Sequence, residues 1–253
     1  MRHVGRSTAL RRIILAVLAL LFVAWVADSA IAARAERHLA AQVRDSAGLE
    51  LSPSVYFGGV PYTSALISGK IKSATVSVSD VETSQFGLIS TSTDAVDVQV
   101  DPAQVFSGNI DGRRALLLTQ TIGLDGVSVG KQLGIADLDI SNPYDISPNG
   151  GPASEAQLRG APDGQAKPIT VMCDLRIEGS DFRLTPTSVV DPGDGSLSEE
   201  EIFRAFEWRI DTRLLPMRDQ AGFVYVSGGT LYFQAQQRDV TLSLKDFSPT
   251  DVG

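Results

Sequence analysis

The sequence predicts an α+β protein that is mostly β: a strongly twisted antiparallel sheet, a long N-terminal helix and short helices. Three observations support this prediction. Helix formers run without a break from 28 to 48. Apolar and polar residues alternate with period two in most later segments, and turns rich in glycine separate those segments. At 253 residues the chain is long enough to bury a sizeable core.

Two segments locate elements inside the domain. Ser198 and Glu201 form a capping box that opens a helix predicted from 198 to 210, with Ile202, Phe203, Phe206 and Ile210 on one face. The stretch from 141 to 151 is rich in Pro, Gly and Asn, which predicts a loop. The segment from 238 to 244 is predicted as a separate last strand.

The N-terminal segment has the features of an export signal or a signal anchor. Its four early cations are Arg2, Arg6, Arg11 and Arg12. They precede an apolar run from Ile13 to Ala27 and stay on the cytoplasmic side of the membrane. That run is shorter than the roughly 20 residues that cross a bilayer, but it can span if it extends past Asp28 to Ala33.

Ala30-Ile31-Ala32 offers a small-x-small cleavage site. Cleavage there would cut into the helix predicted from 28 to 48, which favours an uncleaved anchor over a removed signal. In both cases residues 1–33 are the signal or anchor, and residues 34–253 form the extracytoplasmic domain. We expect that domain on the outer face of the cell membrane or exported to the envelope.

The exported part of the chain is acidic. Without the four arginines and Asp28, 18 basic and 29 acidic residues remain, a net charge of −11. A domain with this charge repels nucleic acid and anionic lipid headgroups at long range. We therefore expect no nucleic-acid partner, and we expect membrane association through the anchor or an apolar surface, not through a basic patch.

The chain holds few residues suited to catalysis. Its two histidines, His3 and His38, lie in the targeting segment or in the helix beside it. No Ser-His-Asp triad, Cys-His pair or histidine zinc motif can therefore form in the sheet domain. The single Cys173 alternates with Val171 and Leu175, which predicts a buried core thiol. We predict that the protein is not an enzyme and has no catalytic residue, metal site or cofactor.

Acidic residues leave one enzymatic alternative open. Glycoside hydrolysis needs only two carboxyl groups, so a carboxylate enzyme acting on envelope glycan or lipid would show two acids facing each other in a cleft. Asp97, Asp101, Asp191 and Asp194 stand instead on polar strand faces or in turns. Solvation accounts for residues at such positions.

A resemblance to a known family rests on the stretch FGGVPYTSALISGKIKSATVSVSDVE, residues 57–82. The stretch resembles a pattern of the LmeA-like family of exported cell-envelope lipid-binding proteins, in which Gly-Phe-Pro-Phe is followed by Leu, Gly and an alternating strand ending in Asp-Val. The matching positions here are Gly59, Val60, Pro61, Tyr62, Leu66, Gly69, Asp80 and Val81. Val60 replaces the usual phenylalanine. Shorter similarities cover nearly the whole exported chain.

The resemblance implies an elongated, β-barrel-like fold, a half-open barrel related to tubular lipid-binding proteins. It also implies phospholipid binding, with phosphatidylinositol-type lipids among the candidates, and a role in the maturation of mannosylated lipoglycans. It implies no catalytic residue. The alternative is a non-enzymatic envelope scaffold or protein-interaction module, which predicts a solid core and no extractable lipid.

Apolar side chains are the candidate site, because a curved sheet lined by them can hold acyl chains in a groove. The same residues can also pack as an ordinary core. The residues that we predict to contact lipid are Tyr62, Leu66, Phe86, Phe203, Phe206 and Trp208. Gly58-Gly59 lets the chain turn sharply and Pro61 fixes φ, so that Tyr62 points inward beside the N-terminal helix. The loop then forms one rim of the groove, or it is a plain turn that sets the strand register.

Overall fold

The computed structural model describes residues 4–142 and 151–248, with side chains from Leu10 onward. Within these ranges the chain forms five α-helices and eleven strands, arranged in two antiparallel sheets. One sheet curls strongly into a half-barrel, which confirms the predicted α+β, mostly β fold. Most of the loop predicted from 141 to 151 lies outside the described residues, as do Arg2 and the side chain of Arg6.

The N-terminal helix α1, Val4–Ala47, is continuous over 44 residues, which is about 66 Å at 1.5 Å per residue. Every side chain from Leu10 to Ala27 is exposed, and an 18-residue window there has a mean hydropathy of 2.4. Further along, Ala35, Leu39 and Val43 follow each other at intervals of four and form one buried face. One helix therefore has a free apolar half, long and apolar enough to cross a membrane, and a half that packs on the domain.

The larger sheet has six strands, which are numbered in chain order. In spatial order they are β1 (Ser54–Gly58), β2 (Lys70–Thr83), β3 (Gly87–Gln99), β4 (Arg114–Asp125), β11 (Thr230–Thr241) and β10 (Phe223–Ser227). The smaller sheet has five strands. They are β5 (Asp139–Ser141), β6 (Ala153–Gly160), β7 (Ile169–Glu178), β8 (Asp181–Asp191) and β9 (Trp208–Asp211).

Short helices connect these strands. They are α2 (Ala65–Ser68), α3 (Pro102–Ser107), α4 (Gly126–Leu133) and α5 (Glu199–Phe206). The capping box predicted at Ser198 and Glu201 is present at the start of α5. Asp101 and Gln104 form a second one at the start of α3, which Pro102 opens.

Apolar side chains form two separate clusters. The larger core takes residues from both sheets, from α4 and from α5. The smaller core takes residues from α1, β1, α3 and the ends of β2, β3 and β4 that lie beside α1. The larger sheet thus covers both cores, and its middle strands contribute to each.

Two sequence predictions were wrong in their boundaries. The helix predicted from 198 to 210 ends at Phe206, and Trp208 and Ile210 lie in β9, which pairs with β8. The last strand predicted from 238 to 244 is the end of the continuous β11, which pairs with β4 as far as Thr241. In both places pairing with a distant strand determines the structure.

Candidate functional site

The six residues predicted to contact lipid are divided between the two cores. Tyr62 is buried in the smaller core and Leu66 packs against it. In the larger core Phe86, Phe206 and Trp208 are buried, and Phe203 packs against that cluster. The structure therefore assigns the last four to one extended core and the first two to the other.

Tyr62 and Leu66 lie in the loop formed by residues 58–69, which is part of the family-like stretch. We call it the Asp28 loop, because Asp28 of α1 binds it. Gly59 in this loop has a φ of 107°, which glycine tolerates best. The Tyr62 ring stacks on Phe57 with centroids 5.4 Å apart, and its hydroxyl donates a 2.8 Å hydrogen bond to the carbonyl of Val105 in α3. Burial raises the pKa of Tyr62, and the carboxylate of Glu36 adds to this increase. Tyr62 thus links the loop to α3 and stays a neutral donor.

Asp28 of α1 holds this loop from the other side. Its Oδ2 accepts a 2.9 Å hydrogen bond from the amide of Tyr62. Its Oδ1 accepts bonds from the amide of Thr63 at 2.7 Å and from the Thr63 hydroxyl at 2.6 Å. Sequence reasoning missed this role. The one signal was an acidic residue at the end of an apolar run, in a helix that continues past it.

Exposed apolar side chains surround the point where α1 leaves the domain. Val60 and Ile67, both in the Asp28 loop, are 79% and 94% exposed. Large apolar side chains with this exposure, next to an exposed apolar helix, are typical of a surface that contacts another apolar phase. Val60 occupies the position where the family pattern has phenylalanine.

Trp208 and Phe206 lie in closely packed parts of the larger core. Phe182 meets Trp208 and Phe233 edge to face, with centroids 5.4 and 4.8 Å apart. Phe206 is completely buried at the end of α5. A charge at Phe206 would therefore unfold this core, since an unpaired buried charge is strongly destabilising. Exposed positions are needed to test lipid contact without loss of folding.

Exposed positions of this kind lie on a cleft of about 790 Å³ between the segment after α1 and the β2–β3 hairpin. We call it the hairpin cleft. Its lining residues are 48–51, 78–84, Gly87, Leu88 and Lys131. Leu51 and Leu88 on its walls are 79% and 54% exposed. The volume falls within the roughly 300–1,000 Å³ typical of small-molecule sites.

A β-bulge explains the apolar base of the hairpin cleft. In a regular strand Val78 and Val81, three residues apart, would point to opposite faces. The pairing of β2 with β3 shifts register between them, and Asp80 adopts a φ of 56°. As a result both valines are buried in the larger core. Asp80 and Val81 are the Asp-Val pair of the family pattern, so that motif builds the cleft.

Phe86 lies closest to this cleft among the six predicted residues. It stands in the turn between β2 and β3, and its neighbours Ser84 and Gly87 line the cleft. Its amide donates a 3.2 Å hydrogen bond to the hydroxyl of Thr83, and its side chain is buried in the larger core. The hairpin cleft thus borders the larger core at Phe86, Val78 and Val81.

A second cleft, of about 600 Å³, lies between α1 and α3. We call it the basic cleft. Its lining residues are Arg34, Arg37, His38, Ala41, Ala103, Phe106 and Ser107. Two arginines, one histidine and no acid line this cleft, although residues 34–253 are strongly acidic.

Three carboxylates, Glu50, Asp80 and Glu82, line the hairpin cleft. Among residues 4–142 and 151–248, no group of three or more His, Cys, Asp and Glu side chains is arranged to hold a metal ion. Cys173 is buried in β7. Burial, with a smaller contribution from the Asp174 carboxylate, raises the pKa of its thiol to about 12.

Cys173 is accordingly expected to resist a thiol reagent in the folded protein. Relative to an ordinary thiol, its thiolate fraction at pH 8 falls about a thousandfold, because each pKa unit is a factor of ten and the thiolate is the nucleophile. The measurement is the labelling rate of the native full chain against the same chain in denaturant. Equal rates in the two states would contradict the buried placement.

The sequence profile described as LmeA-like phospholipid-binding matches residues 26–236. The chain belongs to the LmeA-like phospholipid-binding family. No significant match was found among curated proteins or solved structures. The family match begins two residues before Asp28, inside α1, and it includes the Asp28 loop and the residues of both clefts.

Proposed function

We propose that this LmeA-like protein is a phospholipid-binding protein tethered to the extracytoplasmic face of the cell membrane. The tether is the free half of α1. Its apolar run, Ile13 to Ala27, has 15 exposed residues, about 22 Å of helix, against the roughly 30 Å thickness of a bilayer core. The arginines before this half favour a cytoplasmic N-terminus.

The tether is proposed to stay uncleaved. Cutting after Ala32 would remove Asp28 and with it the three hydrogen bonds to the Asp28 loop. It would also remove Ile31 and Ala32, which pack against the smaller core. The helix on both sides of the small-x-small site is therefore part of the folded domain.

The proposed lipid site is the hairpin cleft, and the observation that supports it most directly is its pair of exposed leucines above a base of buried valines. An acyl chain placed there would shield Leu51 and Leu88 from water. Burial of apolar surface contributes about 0.8 kcal/mol per methylene, so a long chain offsets the ordering cost of binding.

The six residues predicted from the sequence remain candidate lipid contacts within this proposal. Phe86 borders the hairpin cleft. Phe203, Phe206 and Trp208 lie deeper in the larger core, and Tyr62 and Leu66 lie in the smaller core beside α1. No catalytic residue is proposed. As the family resemblance implies, we extend the proposal to support of mannosylated lipoglycan maturation.

Leu88→Asp is expected to reduce phospholipid bound in the cleft by about tenfold, because it removes apolar surface worth roughly 1.5–3 kcal/mol and adds a carboxylate. The matched control is Leu116→Asp, on β4 outside the cleft, where the leucine is 52% exposed against 54% for Leu88. The measurement is phospholipid extracted per mole of full chain, purified from an envelope-containing host and washed in detergent.

The possible outcomes separate the proposal from its rival. Loss of lipid in Leu88→Asp alone supports the cleft. Equal lipid in both variants and the natural chain would refute the cleft as the site, and a natural chain without lipid after exposure to liposomes would favour the scaffold. Lipoglycan profiles of cells carrying each variant test the physiological extension.

A further inference from the structure

The basic cleft lies beside α1 just past its exposed apolar half, since Arg34 follows Ala27 by seven residues. We infer that it binds the phosphate of anionic phospholipids in the bilayer leaflet from which α1 emerges, and so fixes how the domain sits on the membrane. This inference rests on the tethering part of the proposed function and not on the hairpin cleft.

Position along α1 is the first argument. Arg34 follows Ala27 by seven residues, about 10 Å along the helix axis, and the headgroup layer extends about 5–8 Å beyond the hydrocarbon. Helical side chains lean toward the helix N-terminus, which here is toward the membrane. Arg37 shows this direction, because its Nε donates a 3.0 Å hydrogen bond to the carbonyl of Ala33, one turn nearer the apolar half.

The composition of the cleft is the second argument. Arg34, Arg37 and His38 line it without an acidic neighbour. The nearest acid on α1, Glu36, accepts a 3.0 Å hydrogen bond from the amide of Phe57 and so faces β1. Among the described residues, the guanidinium of Arg34 has no hydrogen-bond or ion-pair partner. Arginine forms charge-assisted, often bidentate bonds to phosphate.

The apolar surroundings make a lipid a better occupant than free phosphate. Phe106 lines the cleft and is 48% exposed, and Val60 and Ile67 lie exposed where α1 leaves the domain. A phosphate ion from solution would leave these side chains in water. A bilayer surface would both cover them and provide the phosphate. The net charge of −11 does not prevent this contact, because charges beyond the Debye length of about 8 Å are screened.

The test uses the full chain in phosphatidylcholine nanodiscs that contain phosphatidylglycerol with a photoreactive headgroup. Crosslinks are expected in residues 34–41 and 103–107. The double variant R34Q/R37Q should lower that crosslinking by about thirtyfold, since two cations are removed and each cation near an anionic surface is worth about 1 kcal/mol. R34K/R37K, which keeps the charge, should retain most of it.

The matched control is R159Q/R176Q, which removes the same charge from exposed positions on the smaller sheet. Equal crosslinking in R34Q/R37Q and the natural chain, or an equal loss in the control, would overturn the inference. Loss of the crosslink on addition of inorganic phosphate would identify a free-phosphate site and also overturn it. Recovery of each variant with the nanodiscs measures membrane insertion of α1 in the same samples, so failure of the tether is distinguished from failure of the basic cleft.

Discussion

Gly108→Ala is expected to lower the free energy of unfolding by about 3 kcal/mol or more. Gly108 has a φ of 67°, where a side chain costs about 1–2 kcal/mol. A Cβ there would also lie 2.3 Å from the carbonyl oxygen of Ala35 in α1. The new Cβ would meet backbone atoms of Ala35 and not a flexible side chain, so only a shift of α1 against α3 relieves the overlap. Overpacking of this kind typically costs a further 1–3 kcal/mol.

Gly112→Ala is the control for the backbone term alone. Gly112 has a φ of 70°, and no other atom lies within 4 Å of the place that an alanine Cβ would occupy, so we expect a loss of only about 1–2 kcal/mol. Both variants are compared by denaturant unfolding of the full chain in one detergent. A loss in Gly108→Ala no larger than in Gly112→Ala would show that α1 does not pack closely on α3.

Asp28→Ala is expected to destabilise the domain by about 2–3 kcal/mol, since two amides and one hydroxyl lose a charged acceptor. The effect should be local: amide hydrogen exchange should speed up at Tyr62 and Thr63, because their donors are no longer protected.

Asp28→Asn is the matched variant, because its side-chain oxygen still accepts a hydrogen bond. It should fall between the natural chain and Asp28→Ala in both stability and exchange rate. Unchanged exchange at Tyr62 and Thr63 in Asp28→Ala would mean that α1 does not hold the loop, and the argument for an uncleaved helix would then lose its main support.

Local patterns in the sequence were enough to predict most elements. Alternation located β2 and β7, and the capping box of Ser198 and Glu201 located α5. The helical spacing of apolar residues could not locate the end of α5, because Ile202, Phe206 and Ile210 all fit one helical face. From Phe206 to Asp211, however, apolar and charged residues alternate strictly, which is the signal of β9.

The site could be predicted only in part, because it depends on contacts between distant segments. Sequence alone showed apolar residues suited to a groove, but it could not show that they divide into two cores. The bulge at Asp80 that turns Val78 and Val81 to the same face depends on pairing with β3. The local concentration of Arg34, Arg37 and His38 beside α3 was hidden by the acidic total.

The continuity of α1 makes the helix a rigid spacer. From Ala27, where the apolar half ends, to Ala47, beside the hairpin cleft, the helix advances 20 residues, about 30 Å. One leaflet, headgroups included, is only about 20–23 Å deep. A phospholipid seated in the hairpin cleft of an upright domain has therefore left the leaflet completely. If the proposed cleft binds phospholipid, that lipid would be separate cargo above the membrane, held by a domain that α1 keeps tethered.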